Sequence, residues 1–243
     1  IMKLKFMART LRSFLRSTRN FVLYGFVDAQ DGYYYIEALD SYYIQISKNA
    51  CSQVKMVLWE LSTWKKAHPD TIHQQFASLY PLSARPLKGQ ETLLPGFAVA
   101  RNPFARLVSL YRNKISGLGS MDDDVYYSFL RKISPSFDAF VRLVCRVPDR
   151  LADRHFRSQS FLLFDHTDSL RVTEIVQLEN GLEKLGVISP AFTTWEMKRS
   201  NSTGSYNWEE YYTWKPELVA LVTQRYERDF RLLGYESFVR NSW

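Results

Sequence analysis

Two apolar stretches, each running into a short loop with a cation and a hydroxyl and then into a helix, constrain this chain most. The first is Tyr42-Tyr43-Ile44-Gln45-Ile46-Ser47-Lys48-Asn49-Ala50-Cys51-Ser52. The second is Phe97-Ala98-Val99-Ala100-Arg101-Asn102-Pro103-Phe104-Ala105-Arg106-Leu107-Val108-Ser109. Residues 42–47 read as a buried strand, and over 52–66 the apolar positions Val54, Val57, Leu58, Leu61 and Trp64 recur at helical spacing. Residues 97–101 read as a second strand. Asn102 and Pro103 then stand at the cap and first position of a helix running to about Ser116.

Behind each loop the first N–H groups of the helix lack an intrahelical acceptor, and the aligned peptide dipoles add positive potential. A phosphate satisfies both. In the first loop Lys48 supplies a cation and Ser52 a hydroxyl at the helix start, with Lys55 one turn further on. In the second, Arg101 closes a strand at the sheet edge where ligands bind in open α/β folds, and Ser109 follows two helical turns later. An arginine gives a forked, permanently charged clamp, and a serine adds a donor. Together the two loops suit the two phosphate ends of one nucleotide. The first is not a Walker A loop, because no glycine lies between Gly32 and Gly89. Taken singly, Ser52 as a plain helix cap, Lys48 in solvent and Arg101 in a surface ion pair account for the same residues.

Strands alternating with helices predict an α/β fold with a central, mostly parallel sheet flanked by helices. An early strand or hairpin is expected over 22–27 and 33–37, broken at Asp31-Gly32, and later strands at 161–164 and 173–178. Residues 68–94, with three prolines, read as loop with one short helix, and 117–124 as a turn. Helices are expected at 137–146, at 181–185 with Gly186 as the stop, and at 216–232 with an apolar stripe of Leu218, Leu221, Val222, Tyr226 and Phe230.

A chain of 243 residues suits a single domain over 1–243. A domain of that size buries roughly 70% of its unfolded surface and needs no covalent staples. Residues 1–30 read as a basic N-terminal helical segment, with Leu4, Leu11, Phe14 and Leu15 among Lys and Arg. It reads as a surface helix, or as a peripheral contact with a membrane or an anionic polymer, and not as a signal peptide. No apolar run reaches the roughly 18 residues of a membrane span. The net charge of +7 favours anionic partners. No helix-turn-helix, RNA-recognition or zinc-finger pattern supports nucleic acid. Two cysteines, Cys51 and Cys145, suit neither a disulfide scaffold nor a zinc site, so a reducing, cytoplasmic setting is expected.

These residues resemble a known family. Ser47-Lys48-Asn49-Ala50-Cys51-Ser52 is similar to the 5′-phosphosulfate loop of the Golgi-type carbohydrate sulfotransferases, and residues 101–114 are similar to their 3′-phosphate motif. The chondroitin and HNK-1 (glucuronyl) sulfotransferases are the nearest in pattern. Asp153-Arg154-His155-Phe156-Arg157-Ser158-Gln159, Gln177-Leu178-Glu179-Asn180-Gly181-Leu182 and Tyr226-Glu227-Arg228-Asp229-Phe230-Arg231-Leu232-Leu233-Gly234-Tyr235 resemble later family segments, so the likeness spans 40–238. Ser47 stands where the family has proline, Phe156 follows His155 in place of tryptophan, and the cysteines and anchor of the animal enzymes are missing. A soluble bacterial member fits these departures. A Golgi-luminal catalytic domain lacking its anchor is the alternative.

The resemblance implies a P-loop-like sulfotransferase fold. It implies transfer of a sulfuryl group from 3′-phosphoadenosine 5′-phosphosulfate (PAPS) to a carbohydrate hydroxyl, leaving PAP, with no metal. Lys48 would stabilise the leaving oxygen, and Lys48, Asn49, Ala50, Cys51, Ser52 and Gln53 would hold the 5′-phosphate. Arg101 and Ser109 would hold the 3′-phosphate, and the loop around Lys198 and Arg199 would close on the nucleotide. Of the four histidines, His155 ranks first and His73 second as the base for the acceptor hydroxyl, with Glu60 or Glu91 as carboxylate alternatives. Arg85 and Lys88 are candidates for an anionic acceptor, such as an acidic polysaccharide, or for the sulfate itself. The tyrosines at 33–35, 42, 43, 211 and 212, with Trp214, could stack on sugars, though most read as core. A kinase-like nucleotide transferase and a non-catalytic polysaccharide-binding module are the competing readings.

Overall fold

The structure, a computed structural model, describes residues 32–80, 94–118, 125–194 and 206–237. In chain order it contains strands β1 (Tyr33–Ile36) and β2 (Ser41–Ile44), helices α1 (Cys51–Thr63) and α2 (Ile72–Leu79), and strand β3 (Leu94–Ala100). Helices α3 (Pro103–Lys114), α4 (Val125–Ile133), α5 (Phe137–Val144) and α6 (Ser160–Leu163) come next. Strand β4 (Val172–Gln177) precedes helices α7 (Ala191–Thr194), α8 (Pro216–Arg225) and α9 (Glu227–Leu233). The segment 1–30 and the strand expected over 22–27 lie outside the described residues. Among the described residues no helix is long and apolar enough to cross a membrane.

The described chain divides into two compact units. Residues 32–80, 94–101 and 162–194 make up a sheet unit; residues 102–118, 125–161 and 206–237 make up a helical unit.

The sheet unit carries all four strands in the order β1-β2-β3-β4. β1 and β2 are antiparallel, whereas β2 with β3 and β3 with β4 are parallel. This is the expected mixed α/β, mostly parallel sheet flanked by helices. Phe97, Ala98, Val99 and Ala100 on β3 are all buried, as a parallel strand covered on both faces requires. Tyr43 stacks on Phe97 at 5.3 Å, and Phe97 meets Phe192 of α7 edge-on at 5.9 Å. Val54, Val57 and Leu58 of α1 and Phe76 of α2 close the same core. Leu61 is half-buried, and Trp64 is 91% exposed, against its expected place on the apolar face. The helix has already ended at Thr63: Trp64 turns left-handed (φ 57°) and its N–H returns to the Glu60 carbonyl, which throws the indole outward.

In the helical unit Phe104 of α3 packs against Trp208, Tyr212 and Phe230. Asn102 caps α3 as expected, its side chain accepting from Phe104 N–H at 2.9 Å, with Pro103 as the first helical residue. Most of the tyrosines are core: Tyr33, Tyr34, Tyr43 and Tyr212 are buried, while Trp214 is exposed.

Two further expectations are corrected. Residues 161–164 do not form a strand: Ser160–Leu163 is a helical turn whose start is capped by the Asp229 carboxylate, which accepts from Gln159 N–H at 2.9 Å and Ser160 N–H at 2.7 Å. The closing helix is not continuous over 216–232, because it breaks at Tyr226 into α8 and α9. There the Tyr226 hydroxyl donates to the Phe156 carbonyl at 2.6 Å, and the Arg225 guanidinium is tied to Val147, Ser158 and Asp149, so the joint is held by its side chains.

Gly96 faces Tyr42 across the β2–β3 pair, and a Cβ there would lie 2.7 Å from the Tyr42 carbonyl oxygen and 2.9 Å from its Cβ. Gly96→Ala is therefore expected to lower stability by about 1–3 kcal/mol. A chemical-denaturation midpoint reads this directly, and an unchanged midpoint would show that the strands separate without cost.

Candidate functional site

Parallel pairing decides where the two loops go. Ile44 of β2 pairs with Ala98 of β3, and Ala100 of β3 pairs with Gln177 of β4. The chain leaving β2 at Gln45 and the chain leaving β3 at Arg101 therefore emerge at the same carboxyl edge of the sheet, the edge at which open α/β sheets bind ligands.

The first loop leaves the start of a helix open. Lys48 (φ 71°) and Ala50 (φ 56°) are both left-handed, a conformation that costs non-glycine residues free energy and recurs at ligand-binding turns. Ala50 is the residue before α1 and provides no capping side chain, and the first intrahelical bond is Val54 N–H to Ala50 O at 3.1 Å. The N–H groups of Cys51, Ser52 and Gln53 thus open the helix with no intrahelical acceptor. Asn49 is 1% exposed, donates its side-chain amide to Val99 O at 2.7 Å and turns its backbone N–H back to Ile46 O at 3.4 Å. It braces the loop against β3. Arg101 Nη1 donates to the Lys48 carbonyl at 3.0 Å, tying the second loop to the first.

α2 packs beside α1 and adds His73. Its Nε2 is 3.0 Å from Ser52 Oγ, and its Nδ1 is 3.4 Å from Lys55 Nζ. Lys55 is 3% exposed, its ammonium set 5.1 Å from the Tyr34 ring centre and 4.9 Å from that of Phe76. Glu60 accepts from Ala67 N–H at 2.9 Å and shapes the chain after α1.

In the helical unit Ser109 is half-buried on α3. Arg106, three residues before it, is fully interior and donates to the carbonyls of Arg157 at 2.6 Å and Arg154 at 3.2 Å. It thereby clamps the irregular segment that carries His155. Within that segment Asp153 accepts at one oxygen from the His155 backbone N–H (3.0 Å) and from the Tyr127 hydroxyl (2.7 Å). The same oxygen lies 2.6 Å from His155 Nδ1. Both side chains are mostly buried, at 14% and 16% exposed. Burial alone would raise the Asp153 carboxyl, but the charge and hydrogen bonds of His155, with the Tyr127 hydroxyl, outweigh it and hold Asp153 well below the usual carboxylate range. An ionised carboxylate only accepts, so Nδ1 carries a proton toward it, and the lone pair of a neutral ring then resides on Nε2.

Residues 40–236 match the sulfotransferase family. The chain belongs to the sulfotransferase family. No curated protein and no solved structure matches it. The match begins just before β2 and ends just after α9, so it takes in both loops of this sulfotransferase and the His155 segment.

Of the residues singled out in the sequence, the structure brings Lys48, Asn49, Ala50, Cys51, Ser52, Gln53, His73 and Arg101 into the sheet unit, and places Ser109 and His155 in the helical unit. Arg85, Lys88, Glu91, Lys198 and Arg199 lie outside the described residues. Both cysteines are free thiols, and burial pushes Cys145 up to about 12. Sequence reasoning missed Asp153 and Tyr127 as partners of His155. The Asp-x-His spacing was a usable signal for the first; nothing in the sequence ties Tyr127 to a residue 28 positions away.

Because the folded Asp153 carboxyl is depressed, its contribution to stability is present above the unfolded value of about 3.9 and is lost as pH falls below it. Asp153→Asn is expected to lower the melting temperature at pH 7 and to flatten the fall between pH 5 and pH 3. A variant that melts with the wild-type acid dependence would exclude the pairing.

Proposed function

We propose that this sulfotransferase moves the sulfuryl group of PAPS to a carbohydrate hydroxyl by in-line displacement. The observation that carries the reading is the first loop: two left-handed residues lead into an uncapped helix start, braced against Arg101 at the carboxyl edge of the sheet. Such a loop offers converging N–H groups and positive potential to a phosphosulfate. The family match supports sulfuryl transfer as the chemistry.

In the step proposed, the acceptor oxygen forms a bond to sulfur while the bond from sulfur to the bridging oxygen of the 5′-phosphate breaks. PAP leaves carrying the electron pair. Lys48 meets the charge that develops on that oxygen, and the N–H groups from Ala50 to Gln53 hold the phosphate. Arg101 is assigned to the 3′-phosphate, and Ser109 joins it on the strength of the sequence motif. His155 is assigned to the acceptor proton on the strength of the sequence resemblance, accepting it at Nε2 with Asp153 holding the ring and stabilising the cation that forms. The net charge of +7 supports an acidic polysaccharide as acceptor.

Thermal melting with PAP, 5′-AMP, ADP and ATP plus Mg²⁺ tests the donor. A ligand at 100 times its dissociation constant stabilises a fold by about 2.7 kcal/mol. Stabilisation by PAP above the other three is expected; a response to ATP instead would favour phosphoryl transfer, and no response to any would remove the nucleotide reading. Lys48→Ala is expected to keep most of the PAP response while losing turnover. His155→Ala should lower turnover by about 10²–10⁴-fold, and a near-normal rate would pass the base to another group.

A further inference from the structure

We propose that Lys55, His73 and Ser52 form a fixed donor chain that aims the Ser52 hydroxyl proton at the 5′-phosphate, which makes His73 a positioning residue and not the base for the sugar hydroxyl. The inference rests on the reading of the first loop as a phosphosulfate site and assigns residues beyond that loop to it.

The polarity of the chain follows from its buried end. Lys55 is 3% exposed and sits between two aromatic faces, whose negative π-surfaces replace water around the ammonium. An ammonium only donates, so His73 Nδ1, 3.4 Å from Nζ, accepts. A neutral imidazole that accepts at Nδ1 carries its proton on Nε2, and Nε2–H therefore donates to Ser52 Oγ at 3.0 Å. The Ser52 hydroxyl, with its oxygen accepting from His73, directs its own proton elsewhere. Ser52 is the second residue of α1, where the backbone N–H groups gather around the loop, so a phosphate there accepts from it. The opposite polarity would set an Nδ1–H against the ammonium, donor to donor. Ser52 and Lys55 are three residues apart on α1 and so share a face, which lets one imidazole from α2 bridge them. Each link polarises the next, so the buried charge of Lys55 reaches the anion through three hydrogen bonds. His73 has both ring nitrogens engaged in this arrangement, and Nε2, holding a proton, is the wrong form for a base.

The test is PAP affinity by calorimetry in a double-mutant cycle. His73 is exposed and Ser52 half-buried, so the variants leave the core intact, and melting without nucleotide checks this. Ser52→Ala and His73→Ala are each expected to weaken PAP binding about tenfold, and the double variant by no more than about twofold beyond either. His73→Gln, whose amide can accept from Lys55 and donate to Ser52 but cannot act as a base, is expected to recover affinity and KM for the donor to within about threefold of wild type. Nitrogen-15 NMR of the nucleotide-free protein is expected to show the Nε2–H tautomer of His73. Losses that multiply to about a hundredfold, an Nδ1–H tautomer, or a His73→Gln variant that binds PAP but has lost turnover would each overturn the chain, the last returning His73 to the role of base. A wild-type protein that does not bind PAP overturns the phosphosulfate reading and the chain with it. That outcome is distinct, because it appears before any substitution is made.

Discussion

The parallel alignment of β2 with β3 is the constraint on which the candidate donor site depends. It sends two loops, separated by some fifty residues of chain, out of the same edge of one sheet. The close approach at Gly96 and the Tyr43–Phe97 stack hold the two strands together behind that edge. The left-handed residues Lys48 and Ala50 each cost of order 1–3 kcal/mol. They persist because the loop is over-determined, with Asn49 bonded to Val99 beneath it and Arg101 to the Lys48 carbonyl beside it. Ala50 has no side chain that could cap α1, so the first N–H groups of the helix are left open, as a phosphate site requires.

A second kind of constraint organises the helical unit, where buried charges are satisfied by main chain. Arg106 donates to the carbonyls of Arg154 and Arg157, Arg157 to those of Asp149 and Ala152, and Asp229 accepts from the N–H groups of Gln159 and Ser160. Burial lowers Arg106 and raises Asp229, opposite directions with the same cause, and the backbone dipoles offset the cost of removing each from water. Residues 149–160 have little regular structure of their own and take their shape from these contacts. Three stretches that resemble the family separately, around 101–114, 153–159 and 226–235, are thus one physical object. The first and third supply the buried groups that hold the second, and the second carries the Asp153–His155 pair. The proton-moving role proposed for His155 would need a side chain held closely in place, and these contacts hold it.

Much of the fold was legible because periodicity reports burial. The run Phe97 to Arg101 announced a strand, and Asn102-Pro103 announced the start of α3; β3 and α3 stand there in the structure. Reading failed where a distant partner overrode local pattern. Residues 161–164 are apolar enough for a strand, yet a carboxylate from residue 229 caps a helical turn there. The apolar stripe of 216–232 is continuous, yet Tyr226 and Arg225 anchor to groups some 70 positions earlier and break the helix. Trp64 has the right spacing for the apolar face, but spacing does not tell where a left-handed residue will end the helix.

The candidate site divides in the same way. The sequence by itself determined the residue types and their order: a cation and a hydroxyl after one strand, an arginine after another, and a histidine two residues beyond an aspartate. These are local facts, carried by spacing along one stretch of chain. Tertiary structure alone decided that Asn49 braces and Arg101 ties the first loop, that Lys55 is buried against two rings, that His73 bridges Lys55 and Ser52, and that Tyr127 completes the Asp153 pair. Each joins groups from different elements, and a contact of that kind exists only once packing has excluded water and brought the two elements together.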